Sequence, residues 1–488
     1  MPAEFQPGAR ADRFTSGGWK SCPFDAADAK AALAALPASS AVFALFGADN
    51  RAEPYIGRTP NLRGRLERLL EPSPRHPRRL QLAGLVRRID WQLTGSEFES
   101  LLAQFSLLEE RFGAKALERM HLRHPAFVRF LGSNPYPRVT VTYGPSLRES
   151  DWAYGPFPSH AAAERYAEEM LKLFLLRRCT FELDPDPSYP GCVYSEMKMC
   201  LAPCYKGCTD ERYAEESMAV EGFLATRGES RLVTLRTERD QASANLAFES
   251  AAPLHAQVQR VEAVRALAAE LVRPLSRLRG VILQASANPD EVAVFLFENG
   301  RLRGPAAFST LGMRIQNEQS GSTSLFAQPM AVEAIPEATE IRDQRSEIKE
   351  QGPGNREQGI ENEGSGIRDQ GIERQGPRDQ ATPSGTNHPL GTLAGTEGPT
   401  ETPARIPRTV LEARLEEVLA ELAAVGGAPN ATVRQGDLAL LKRWYYRPEA
   451  KRAGEIFFPD AEEQWPARAI LRGIGRVAAK SLAPATQP

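Results

Sequence analysis

Five of the six cysteines, Cys179, Cys192, Cys200, Cys204 and Cys208, fall within 30 residues, and the rest of the 488-residue chain holds only Cys22. A thiol cluster of this density means a disulfide framework, a metal or cluster site, or a redox site. Disulfide frameworks belong to small secreted chains. This chain is long, and its start, Met-Pro-Ala-Glu-Phe-Gln-Pro-Gly, has no apolar signal core. A thiolate-ligated metal or cluster is therefore preferred over five separately buried cysteines. The same reasoning predicts reduced thiols and a cytoplasmic protein.

A chain of this length predicts roughly two to four domains. No apolar run approaches the roughly 18 residues that a membrane helix needs, so no membrane partner is expected. Residues 336–407 differ in kind from the rest. They repeat Arg-Asp-Gln at Arg342, Arg368 and Arg378, and Gln-Gly-Ile at Gln358 and Gln370, and no aromatic residue occurs between Phe326 and Trp444. Such a segment buries too little apolar surface to offset its ordering entropy, which predicts a disordered linker.

The apolar periodicities predict an α/β (α+β) chain. Ala41–Phe46 reads as a strand closed by Gly47-Ala-Asp-Asn50, and Tyr55-Ile56-Gly57 as its hairpin partner. Leu62, Leu66, Leu69 and Leu70 have helical spacing. Residues 88–93 read as a third strand. Ser96 with Glu99 three residues on reads as a capping box that opens a helix. Further helices are expected over 161–176, 210–224 and 238–272, and a hairpin over 280–297. The expected units are an N-terminal extension (1–35), a small mixed-sheet domain (36–120), a cysteine-rich helical region (121–235), a helical hairpin (236–275), a β-rich segment (276–330), the linker (336–407) and a small, mostly helical C-terminal module (408–488).

Basic residues concentrate in two places. Arg63, Arg65 and Arg68 lie on the first helix, followed by Arg75, His76, Arg78, Arg79, Arg87 and Arg88. That density favours nucleic-acid phosphate as a partner. From Leu441 to Lys480 there are nine Lys/Arg against five Asp/Glu, interleaved with Trp444, Tyr445 and Tyr446. Basic and aromatic residues together suit single-stranded nucleic acid, although a small aromatic core with a basic rim gives the same pattern. Leu471-Arg-Gly473-Ile-Gly475 has the glycine spacing of a helix-hairpin-helix turn.

Taken together these motifs resemble the UvrC family, the C subunits of bacterial UvrABC excinucleases with their shorter homologue Cho. The GIY-YIG nuclease landmarks are matched by Ala41-Val42-Phe43 and Tyr55-Ile56-Gly57, followed by Arg58 and by Asn61-Leu62-Arg63-Gly64-Arg65. Tyr154-Gly155-Pro156-Phe157, Cys200-Leu-Ala-Pro-Cys204 and Phe248-Glu249-Ser250-Ala251-Ala252 are similar to later family elements in the family's order. The resemblance implies a Mg-dependent DNA endonuclease of nucleotide excision repair within the SOS response. It implies an iron–sulfur site on Cys179, Cys192, Cys200 and Cys204, as a [4Fe–4S] cluster or, alternatively, zinc, with Cys208 able to replace one ligand. It implies a partner, the UvrB subunit, through a UVR-type helical hairpin. No counterpart of the family's RNase H-like half follows residue 310.

The resemblance also assigns roles and shows losses. Tyr55 takes the place of the general base, Arg65 contacts phosphate, and Arg58 replaces a lysine with a planar fork. Phe43 has lost the hydroxyl of the first landmark. The metal-binding glutamate falls on Gln104, whose neutral amide offers no charge to a hard cation. Glu97 and Glu99 are read as lying on other helix faces. DNA contact falls to Arg63, Arg68, Arg75, Arg78, Arg79, Arg87 and Arg88. Pro253, just after the UVR-like residues, removes a hydrogen bond from that helix at a cost of about 3 kcal/mol, which weighs against UvrB binding. The reading is a DNA-binding repair protein with weakened or lost incision. An active Cho-like nuclease making a single cut and a non-catalytic repair scaffold are the alternatives.

Overall fold

A computed structural model describes residues 18–49, 52–71, 82–144, 152–313, 406–425 and 431–482. The linker expected over 336–407 lies outside the described residues up to 405. Helices and antiparallel sheets alternate along the chain, as an α/β composition requires.

The N-terminal domain begins earlier than the sequence suggested. β1 (Lys20–Pro23) and α1 (Ala29–Ala34) precede the hairpin β2 (Ala41–Gly47) and β3 (Tyr55–Thr59). Then come α2 (Leu62–Leu70), β4 (Val86–Leu93), α3 (Glu97–Phe112) and the single turn α4 (Ala116–Arg119). The sheet order is β1-β4-β2-β3. Residues expected as an extension therefore supply an edge strand. Where a mixed sheet was expected, every pairing is antiparallel, and for the β2–β3 pair the short connection permits nothing else. One face buries Phe43, Leu45, Leu62, Leu66 and Leu70 under α1 and α2. The other packs Val42 against Ala103 and Leu107 of α3.

The middle region holds β5 (Ala126–Phe130), β6 (Val139–Tyr143), β7 (Ala153–Phe157) and α5 (His160–Leu171). The single turn α6 (Val193–Glu196) sits within the cysteine loop. It is followed by α7 (Asp210–Ala225), α8 (Glu229–Ala244), α9 (Phe248–Ala266) and the short β8 (Arg273–Pro274), which joins the sheet β6-β5-β7-β8. This sheet was missed in the sequence reading, and the helix read over 238–272 is broken at Asn245–Ala247.

β9 (Gly280–Ala285), β10 (Glu291–Glu298) and β11 (Arg301–Ser309) form an antiparallel meander. The C-terminal residues do not stand apart from it. α10 (Arg408–Ala424), α11 (Ala431–Tyr445), β12 (Glu455–Phe457) and α12 (Ala467–Leu482) all pack onto the rest. β12 pairs with β9, giving the order β11-β10-β9-β12. Leu415, Leu419, Ile470 and Ile474 share a core with Val281, Leu283 and Val294. α11 lies so close to α3 that a Cβ on Gly436 would sit 1.9 Å from the ζ carbon of Phe105. The described residues thus form one compact unit. The glycine spacing in α12 marks packing and not a hairpin: the helix is continuous, and Gly473 makes room for the Phe457 ring.

Candidate nuclease-like site and cysteine cluster

Strand alternation sorts the predicted nuclease residues. Phe43 lies opposite Gly57, and Leu45 opposite Tyr55. Phe43 is fully buried, and a Cβ on Gly57 would come within 2.8 Å of its ring. Glycine in the second landmark is therefore what lets the Phe43 ring lie flat beneath the neighbouring strand. The Phe43 and Tyr55 ring centroids are 6.1 Å apart. Asn61 caps α2 by accepting from the Gly64 amide at 2.8 Å, which fixes the first turn. Arg65, one turn in, then donates from Nη2 to the Tyr55 hydroxyl at 3.1 Å. The base and phosphate-contact candidates are brought together.

Arg58, three residues beyond Tyr55, points to the other sheet face. It meets Glu97, the first residue of α3, at 3.3 Å. The second carboxylate oxygen of Glu97 accepts from Arg447 Nη1 at 2.6 Å and the first from Nη2 at 2.8 Å, a bidentate fork. The Arg447 hydrogen bond holds Glu97 down at a pKa of about 2 against desolvation, with Arg58 and Arg443 adding to the effect. Glu97, read from the sequence as lying on another helix face from Gln104, is thus engaged by Arg58 and Arg447. Glu99 is fully buried and accepts from the Gly95 amide at 2.8 Å, while the Ser96 hydroxyl accepts from the Glu99 amide. Gln104 is half-buried on α3, next to Ala103, which packs on Val42. It belongs to the Arg58 side of the sheet and not to the Tyr55 side.

The predicted basic surface is partly used within the fold. Arg63 Nε donates to the Leu36 carbonyl at 2.7 Å, and Arg68 Nε to the Gly64 carbonyl at 2.9 Å. Arg88 pairs with buried Asp90 at 3.1 Å and lies 4.2 Å over the Phe46 ring. Arg87 is exposed. Arg75, Arg78 and Arg79 lie outside the described residues.

The Lys442–Arg447 motif also turns inward. Trp444 is buried against Phe98, with ring centroids 5.2 Å apart, and its indole N–H donates to the Ala453 carbonyl at 2.9 Å. The Tyr446 hydroxyl donates to the Pro156 carbonyl at 2.8 Å. These rings are core, so they do not form the stacking platform that the pattern suggested. Sequence reasoning missed Arg447 as a neighbour of the nuclease-like domain because nothing local links positions 350 residues apart.

Cys179, Cys192, Cys200 and Cys204 share one neighbourhood. The Cys200 thiol is pushed up to about 11, first by burial and then by the other three, against a hydrogen bond from the Ala202 amide. Burial and Cys192 raise Cys204. Cys208 is raised by burial and by Asp210, and feels only Cys204 of the group. Arg177, 1% exposed, places Nη1 3.6 Å from the Cys179 sulfur, donates to the Tyr136 and Phe181 carbonyls, and leaves Nη2 buried without a partner. A buried cation beside gathered thiols fits a thiolate donor set. No three His, Cys, Asp or Glu side chains among the described residues converge closely enough to hold a metal ion as they stand. Cys22 is apart, on β1.

Residues 127–223, which contain all five clustered cysteines, match the UvrC/Cho excinuclease middle domain. The UvrABC system protein C of Alcanivorax borkumensis is 31% identical over 43% of this chain and 34% of its own length. That of Pseudomonas aeruginosa (strain LESB58) is 30% identical over 47% of the chain and 38% of its own length. The chain is similar to UvrC-family proteins over a little less than half its length. It matches little more than a third of the length of these UvrC proteins. No solved structure matches it.

The UvrC-type middle domain carries the helical hairpin α8–α9 beside it. Ion pairs Arg236–Glu262 at 2.7 Å and Arg265–Glu229 at 2.9 Å tie the two helices together. Pro253 lies inside α9, as the sequence suggested, without ending it. It lies in the second turn, and the helix runs on to Ala266. Leu246 and Phe248 at the hairpin tip are 73% and 62% exposed.

Proposed function

We propose that this chain is a UvrC-like protein of nucleotide excision repair that binds DNA through its nuclease-like domain and has weakened incision. The Tyr55–Arg65 pair at 3.1 Å carries the reading. It keeps a hydroxyl that can move a proton next to a guanidinium that can hold a phosphate oxygen. Three departures support weak chemistry. Phe43 offers no second hydroxyl. Gln104, at the position of the family's metal-binding carboxylate, offers no charge for magnesium, and among the described residues no carboxylate is hydrogen-bonded to or ion-paired with Tyr55 or Arg65, which supports weak retention of a hard dication. Arg58 is occupied by Glu97.

Cys179, Cys192, Cys200 and Cys204 would hold a [4Fe–4S] cluster or zinc, whose chemistry there is to cross-link the loop by thiolate bonds. The buried Arg177 would then balance thiolate charge. The α8–α9 tip, with Leu246 and Phe248, is the surface offered to UvrB.

The test is an incision assay on lesion-containing duplex with anaerobically purified full chain, with and without UvrB, alongside salt-dependent duplex binding. Binding that weakens with salt, with slow or undetectable cutting, is expected. Fast Mg-dependent cutting, undiminished by Gln104→Ala, would return the reading to the active nuclease.

A further inference from the structure

We propose that Arg58, Arg443 and Arg447 form a phosphate seat on the α3 side of the nuclease-like domain, and that Glu97 is a built-in anion occupying it until a nucleic-acid phosphodiester displaces it. The proposal deepens the DNA-binding reading and rests on it for the class of ligand.

Arg58 and Arg447 both contact one carboxylate, and Arg443 acts on it electrostatically from α11, the helix that leads into Arg447, so three cations bear on a single anion. The Arg447 fork grips Glu97 at 2.6 and 2.8 Å. A planar guanidinium presents the same pair of donors to a phosphate as to a carboxylate. Arg58 and Arg447 leave fixed backbone, and the Glu97 carboxylate has a route to water. Arg58 is on a paired strand. Arg447 follows buried Trp444 and the anchored Tyr446. The Glu97 side chain is 43% exposed and can turn to water without disturbing the helix cap, which Ser96 supplies. Arg443 is exposed beside it.

The test measures fluorescence anisotropy of a labelled duplex against salt, using the full chain. One phosphate contact contributes a slope of about 0.9 in log affinity against log salt, roughly a 3.5-fold change between 50 and 200 mM. Glu97→Gln, which frees the seat, should tighten binding and steepen the slope by about 0.9. Arg447→Gln and Arg443→Gln should each weaken binding and flatten the slope by a similar amount. Arg443 is exposed, so its variant keeps the test valid if Glu97→Gln or Arg447→Gln lowers the unfolding midpoint. Wild-type binding with affinity and slope unchanged in Glu97→Gln and Arg443→Gln would overturn the seat and leave the DNA-binding reading standing. If neither the wild type nor Glu97→Gln binds duplex, both fall.

Discussion

Removing residues 314–405 should leave the protein folded and more stable. The chain leaves the described unit at Met313 and re-enters at Ile406, whose amide lies 3.5 Å from the Gly312 carbonyl. Met313 and Ile406 both pack on the core formed by β9–β11, α10 and α12. The intervening stretch of about 90 residues therefore closes a loop whose ends already touch. Replacing it with about six flexible residues shortens the loop by about four halvings, each relieving about 0.6 kcal/mol of closure entropy, or about 2.4 kcal/mol in all. For a folded unit of this size the gain corresponds to a rise in unfolding midpoint of about 3 °C. Thermal unfolding followed by circular dichroism, with full-length and shortened chains side by side, measures it. Connectors of about six and about twelve residues should differ by only about 0.6 kcal/mol, which separates loop entropy from strain in the join. A shortened chain that melts lower with both connectors would refute the reasoning. It would mean that 314–405 contributes packing or that the C-terminal elements need it to dock.

Four further outcomes are expected. After one cut inside 336–407, the two fragments should elute together from a sizing column, because β12 stays paired with β9 and α11 stays docked on α3; separation without denaturant would contradict the packing. Arg447→Ala should lower stability at neutral pH by about 1 kcal/mol, the roughly 3 kcal/mol implied by Glu97's shift from 4.5 to about 2 being discounted for its exposure. Because that pKa is depressed, the contribution is complete above about 4.5 and fades as pH falls through about 2, so denaturant titrations of variant and wild type should converge in acid. Gln104→Glu should raise Mg-dependent cutting if its side of the sheet reaches the scissile phosphate, and Tyr55→Phe on that background should abolish the gain. Anaerobic protein should carry roughly four iron and four sulfide per chain; stoichiometric zinc without visible colour would select the zinc alternative.

Much of the fold was legible wherever one element satisfied its own pattern. The β2–β3 hairpin, α2 with its Asn61 cap and α3 with its Ser96 cap follow from local chemistry. What escaped was pairing across distance. Lys20–Pro23 reads as nothing by itself and becomes a strand because β4 offers it an edge. Glu455–Phe457 is likewise too short to predict and is fixed by β9, on the other side of the long insertion. Pro253 sits inside α9, in its second turn, where the missing N–H leaves the Glu249 carbonyl without its helical donor and the helix runs on.

The candidate site shows the same division more sharply. Motif spacing identified Tyr55 and Arg65, since a strand end and the first turn of the next helix meet by local geometry. It could not weigh Arg58, because its free charge depends on two distant residues, Glu97 and Arg447. Composition made the Lys442–Arg447 run look like a nucleic-acid surface, yet each aromatic ring has a packing or hydrogen-bonding partner inside the unit. Only its charges, Arg443 and Arg447, reach the anion at the start of α3. On that proposal the run contributes to phosphate recognition by delivering two guanidinium groups to another domain's helix and not by stacking bases. That distinction decides what a mutation should show. Removing charge at Arg443 should flatten the salt dependence of DNA binding, whereas removing the Trp444 ring should cost stability first, by about 3–5 kcal/mol for a buried aromatic, and affect DNA binding only through the loss of the fold.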